Sequence, residues 1–162
     1  MKNALIVIDV QNDYFPGGAW PLEGAEDTVA EIVGAVRQAY KEGSMVVGIQ
    51  HVTTPDAPFF HPGSLGTDIL NTVAGALGSA VALRKKEADS FYNTGLEALL
   101  RGAGIIDIWL TGMMTQYGVT HTALSSQARG MRVHILAKGC AAPTRELSEL
   151  TLSGLKTRCR VK

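Results

Sequence analysis

The chain has only two cysteines, Cys140 and Cys159, too few for a disulfide framework and in keeping with a reducing compartment. It has no net charge, with 15 Lys and Arg balanced by 15 Asp and Glu. No global field therefore draws it to nucleic acid or to an anionic membrane surface, and no basic run interleaved with aromatics is present. Aromatic residues are scarce, at 6%. No apolar run approaches the ~20 residues of a membrane span. Met1-Lys2-Asn3 leads into an apolar segment without a small-residue cleavage site, so no signal peptide is expected. These absences point to a cytoplasmic protein with neither a nucleic-acid nor a membrane partner. Core-forming residues are present in ordinary amounts, 46% hydrophobic over 162 residues. That suits a single domain over residues 1–162, able to bury roughly 70% of its unfolded surface. Glycine is the one excess, with 18 residues. It implies many tight turns between short elements.

Ala4-Leu5-Ile6-Val7-Ile8 is a continuous apolar run that stops at Asp9, and it reads as a strand buried on both faces. Val29, Ile32, Val33, Val36 and Tyr40 fall at helical spacing over residues 25–42, with Gly43 as the stop. Met45 to Ile49 predicts a second strand, and His51 to Leu65, with three prolines, a long loop. Val81-Ala82-Leu83 is a short strand running into Arg84-Lys85-Lys86. Thr94 and Glu97 match a capping box opening a helix. Ile105 to Leu110 is the next strand, followed by a helix from about Tyr117 to Arg129. Val133 to Leu136 is a strand, Pro143-Thr144 opens a last helix with Leu147, Leu150 and Leu155 inward, and Arg158 to Val161 reads as an edge strand. Alternation of this kind predicts an α/β fold: a three-layer α-β-α arrangement, mainly parallel, of five to six strands with helices on both faces. Ligands of such sheets bind at the carboxyl ends of the strands. Asp9, Lys85 and the Gly112 to Gly118 turn all fall there.

Taken singly, each has a plain structural explanation: a turn cap, a solvated basic cluster and a strand-to-helix connection. Taken together they form a pattern. Ala4 to Gly18, reading Asp9-Val10-Gln11-Asn12-Asp13-Tyr14-Phe15-Pro16-Gly17-Gly18 after the strand, resembles the opening of the isochorismatase-like cysteine hydrolases, which include nicotinamidases. Lys85 followed by Ser90-Phe91 and Thr94-Gly95-Leu96 is similar to the family's lysine segment. Gly112-Met113-Met114-Thr115-Gln116-Tyr117-Gly118-Val119-Thr120-His121 resembles its third motif. The motifs stand in family order and the resemblance spans nearly the whole chain.

The resemblance implies hydrolysis of an amide or other C–N bond by an Asp/Lys/Cys site. Asp9 is the base, Lys85 holds it ionised, and a thiolate at a helix N-terminus forms an acyl-enzyme. It also implies a cis peptide at Met113–Met114, backbone N–H groups of Met114 and Gly118 as an oxyanion site, and substrate contacts from Gln11, Tyr14, Phe15 and Met114. Trp20, Phe59, Phe60 and Phe91 are further candidates for the pocket lining. A homo-oligomer is implied, and a small-molecule substrate is the partner. The family's cysteine falls on Gly118, and neither Cys140 nor Cys159 replaces it by motif. Three readings follow: vinyl ether hydrolysis with Asp9 as general acid and no thiol, a relative that only binds ligand, or a substituted cysteine hydrolase. The Asp-x-His pair that holds metal in nicotinamidases is absent, since His51-Val52-Thr53 stands in its place. No metal and no organic cofactor are expected, and His51 and His61 are read as loop residues. His121 and His134 are read as structural, His121 being the better functional candidate. Asp9 and Lys85 are expected within ion-pair reach of each other beside Gly118.

Overall fold

The computed structural model describes residues 2–162. Strands β1 (Asn3–Ile8), β2 (Met45–His51), β3 (Val81–Lys85), β4 (Asp107–Met113), β5 (Arg132–Ala141) and β6 (Arg160–Val161) form one sheet in the order β3-β2-β1-β4-β5-β6. Every strand pairing in it is parallel. The helices are α1 (Ala25–Lys41), α2 (Asn71–Leu77), α3 (Leu96–Gly102), α4 (Thr120–Ala123) and α5 (Arg145–Leu155). Alternate residues of β1 supply two cores. Leu5 and Val7 pack with Ile32, Val33 and Val36 of α1 and Val73 and Leu77 of α2. Ala4, Ile6 and Ile8 pack with Leu96 and Leu100 of α3, Ala123 of α4 and Leu155 of α5. Both faces are thus covered, which is why β1 is apolar throughout rather than alternating.

The chain winds outward from β1 through β2 to β3 with α1 and α2 on one face. It then returns past β1 to β4 and continues outward with α3, α4 and α5 on the other. The connections leaving β1 and β4 therefore diverge, and a crevice opens at their carboxyl ends. Gly112 sits at that crevice. Its φ is +123°, and a Cβ there would lie 2.0 Å from the Ile8 carbonyl oxygen, so only glycine lets β4 pass β1 so closely.

Several sequence expectations need correction. The helix α2 has no strong pattern; it forms because Val73 and Leu77 bury on the sheet, where Gly48 leaves room for the Leu77 side chain. Tyr40 is half-exposed, with its hydroxyl donating to the Leu77 carbonyl. Thr94 does cap locally, accepting from the Leu96 N–H at 3.2 Å, but Glu97 does not reach back. It instead accepts from Arg101 and Gln127.

The expected helix from Tyr117 to Arg129 is broken into a π-helical turn over Thr115–Val119, the short α4 and a 3-10 turn over Ser126–Ala128. Hydroxyls cause the break. Thr120 donates to the Thr115 carbonyl, Thr122 donates to Ser90 Oγ, and Ser125 donates to Asp89. Leu150 is 74% exposed rather than inward, whereas Thr144 caps α5 as expected. Strand β5 runs to Ala141 after an irregularity opposite Leu110 and Gly112, so it is longer than its apolar core.

Gly112→Ala tests the packing at the crevice. Substitution should cost about 2 kcal/mol or more, read as a lower urea midpoint. A variant as stable as the parent would contradict this packing.

Candidate active site

Asp9 follows β1 directly. Its backbone is left-handed, φ +51°, a conformation that costs a non-glycine residue roughly 1–2 kcal/mol. Its N–H donates to the Ile49 carbonyl (3.1 Å), and its own carbonyl accepts from the Gln11 N–H (2.9 Å), which holds the turn in place. The carboxylate is 1% exposed. Lys85, the last residue of β3, reaches past β2 and places Nζ 2.9 Å from Asp9 Oδ2. Its Nζ also donates to the Ala88 carbonyl at 2.8 Å. The expected convergence of Asp9 and Lys85 is therefore present, and the ion pair is buried.

Gly118 completes the group. A Cβ built on it would lie 3.1 Å from Asp9 Oδ2 and 3.2 Å from Lys85 Nζ. A side chain at position 118 would thus start beside both charges. The turn is entered through a cis peptide at Met113–Met114. The Met114 carbonyl accepts from the N–H groups of Tyr117 and Val119, and its sulfur accepts from the Gln116 amide. Met114 is buried.

The residues expected to touch substrate fare unequally. Gln11 is fully buried and its amide is already committed. It donates to the carbonyls of His51 and Thr67 and accepts from the His51 N–H, each at 2.8 Å. It pins β2 to the loops, with both amide protons used and one lone pair of Oε1 taken by the His51 N–H. Phe15 and Phe91 are core residues. Tyr14 is buried, packed edge-on against Phe60 at 4.7 Å, and burial followed by the nearby Asp9 charge pushes its hydroxyl well above the usual phenol range. Phe60 is buried, while Trp20 is exposed and packs edge-on against the half-buried Phe59 at 5.4 Å. Asp13 joins the two loops, accepting from the Ala19 and Phe60 N–H groups.

The sequence reading placed His51 in a loop. It is instead the last residue of β2, 4% exposed, with Nδ1 3.7 Å from Asp9 Oδ2. The signal available was its position two residues past the apolar run ending at Ile49; in the sheet it lies in register with Lys85. His61 is exposed. His121 packs against the Tyr117 ring at 5.4 Å and lines a cleft of about 400 Å3 with Glu87, Ala88, Asp89, Tyr92 and Tyr117. That cleft borders both the Lys85 loop and the Gly118 turn. A larger cleft, about 580 Å3, between α1 and α5 is lined by none of the candidate residues. His134 is buried against Asp107 at 2.8 Å. Among the described residues, no group of three or more His, Cys, Asp and Glu side chains is placed to hold a metal ion. None of the helices described is long and apolar enough to cross a membrane. Cys140 is buried, its Sγ donates to the Leu136 carbonyl, and burial pushes its thiol up to about 12. Cys159 is half-buried, and burial raises its thiol as well.

Comparison with known proteins agrees with this geometry. Residues 3–161 match the isochorismatase domain. The chain is 31% identical over 150 residues to the isochorismatase family protein YddQ of Bacillus subtilis, across 92% of this chain and 83% of that one. Its fold superimposes on an isochorismatase family protein of Desulfovibrio vulgaris with a TM-score of 0.91 at 24% identity, over 99% of this chain and 93% of that one. It also superimposes on the nicotinamidase PncA of Bacillus subtilis with a TM-score of 0.91 at 26% identity, over 99% of both chains. The chain belongs to the isochorismatase family, an α/β family of hydrolases.

Two measurements follow. Lys85→Met leaves the Asp9 carboxylate buried without its partner and should cost about 3–5 kcal/mol, most of it recovered in the Asp9→Asn/Lys85→Met double variant. Additive losses in denaturant unfolding would show that the two charges do not depend on each other. Iodoacetamide at neutral pH should label Cys159 well before Cys140 in the folded protein, because a buried thiol with a raised pKa supplies almost no thiolate. Equal labelling rates by mass spectrometry would contradict the burial of Cys140.

Proposed function

We propose that this family member carries an active site built for hydrolysis of small amides or other C–N bonds, with Gly118 standing at the nucleophile position. The observation that carries the reading is the position of the missing Cβ, 3.1 Å from Asp9 Oδ2 and 3.2 Å from Lys85 Nζ. A cysteine thiol on that Cβ would have a carboxylate to take its proton and an ammonium to stabilise the thiolate. The thiolate would add to the substrate carbonyl, and the oxyanion would be met by the backbone N–H groups of Met114 and Gly118. Asp9 would return the proton to the departing amine, then take one from the water that hydrolyses the acyl-enzyme. The fold match to a nicotinamidase supports the C–N class. In the chain as written, Gly118 offers no nucleophile. The same reading treats residues 1–162 as one catalytic domain, acting in the cytoplasm as a homo-oligomer.

The test is to incubate the unaltered protein and its Gly118→Cys variant with a panel of small amides, nicotinamide among them, and with isochorismate. Amide turnover should rise by roughly 10³-fold or more in Gly118→Cys. The rise should disappear when Asp9→Asn or Lys85→Met is added. Isochorismate turnover by the unaltered chain, unchanged by the cysteine, would overturn the C–N reading in favour of thiol-free vinyl ether hydrolysis with Asp9 as acid. Ligand binding without turnover in either protein would overturn it in favour of a binding relative.

A further inference from the structure

Among the described residues, four buried polar side-chain atoms have no partner: Gln116 Oε1 in the Gly118 turn, His134 Nδ1 beside Asp107, and the neighbouring Oδ1 of Asp9 and Nδ1 of His51, on residues 1% and 4% exposed. Buried polar atoms are almost always paired, so two unpaired ones on neighbouring side chains point to a group that completes them. Their chemistry follows from the bonds already made. His51 Nε2 lies 3.2 Å from the Lys86 carbonyl oxygen, which only accepts, so Nε2 carries a proton. A neutral imidazole then has a bare acceptor at Nδ1. At 3.7 Å from Asp9 Oδ2, Nδ1 makes no hydrogen bond to that oxygen. The ring is also held in place. Gln11 clamps both backbone groups of His51, and Phe60 packs against its ring at 5.8 Å.

The two side chains meet at 3.7 Å, His51 Nδ1 to Asp9 Oδ2, and each keeps one acceptor without a partner. The group that satisfies both carries two protons on one atom. We propose that His51 is a ligand-contacting residue of this site, its Nδ1 accepting, together with Asp9 Oδ1, the protons of a substrate –NH2 group. This rests on the C–N reading and gives it a selectivity. An amide without N–H leaves both acceptors buried and unpaired, and binding weakens accordingly.

Long-range 1H–15N NMR on the unaltered protein tests the assignment without requiring turnover. The His51 proton should reside on Nε2, and acetamide should shift the Nδ1 resonance while N,N-dimethylacetamide at the same concentration does not. Two variants separate a ligand contact from a structural tether. His51→Asn keeps a side-chain amide where Nδ1 sits, and His51→Gln keeps one where Nε2 meets Lys86. Acetamide affinity should stay within about threefold in His51→Asn and fall at least about tenfold in His51→Gln. A proton on Nδ1, equal responses to the two amides, no response to either, or unchanged affinity in His51→Gln would overturn the proposal. These readouts concern binding by the Gly118 chain, so they hold even where Gly118→Cys gains no turnover. An active Gly118→Cys variant with a silent His51 would remove His51 and leave the C–N reading intact.

Discussion

The carboxylate of Asp9 and the ammonium of Lys85, 2.9 Å apart and out of reach of water, are the interaction on which the rest of the site depends. Neither charge is tolerable there alone, because desolvation of one unpaired ion costs several kcal/mol. Yet a buried pair adds little net stability compared with well-packed apolar residues. The fold spends order on it all the same. Asp9 is held in a left-handed backbone, and Lys85 is threaded past a whole strand with its remaining charge shared by the Ala88 carbonyl. Stability alone does not account for such an arrangement, which suits the proposed activation of a reacting group beside the two charges.

What holds the pair in place is a small set of buried polar side chains that bind backbone rather than ligand. Gln11 ties the end of β2 to the loop at Thr67, and Asp13 ties the loop after β1 to Phe60. A Cβ on Gly66 would collide with the Asp13 carboxylate, so that loop is packed against it as closely as backbone allows. The motif residues after Asp9 thus divide their labour: Asp9 faces the chemistry, while Gln11 and Asp13 fix the two loops that surround it. This explains why a long proline-containing segment is ordered around the site.

The division also explains what could be read from sequence. The strands β1, β2 and β4, the helix α1 and the three-layer class follow from apolar runs and periodicity, which burial dictates. The meeting of Asp9 and Lys85 follows from both ending strands of one parallel sheet. Other features depend on tertiary contact and left no local signal. The helix α2 owes its existence to the room at Gly48, and the broken helix after Gly118 owes its shape to hydroxyls that bond Ser90 and Asp89 on another segment. Motif position does not reveal that the Gln11 side chain is already bonded to His51 and Thr67. His51 carries no local signal because two more residues of strand, Gln50 and His51, move it from a loop to the edge of the charged pair.

Gly112 and Gly118 lie six residues apart in one turn, but they are glycines for different reasons. At Gly112 the backbone is left-handed and a Cβ would overlap the Ile8 carbonyl, so folding itself requires glycine. At Gly118 the backbone lies outside the left-handed region, and the nearest atoms to a Cβ are the ends of the Asp9, Ile8 and Lys85 side chains at 3.1–3.2 Å. Those atoms must give by a few tenths of an ångström to admit a Cβ, whereas the backbone conformation at 118 does not itself require glycine. In the proposed reading the missing side chain bears on the chemistry beside Asp9 and Lys85, where the scaffold keeps both charges next to residue 118.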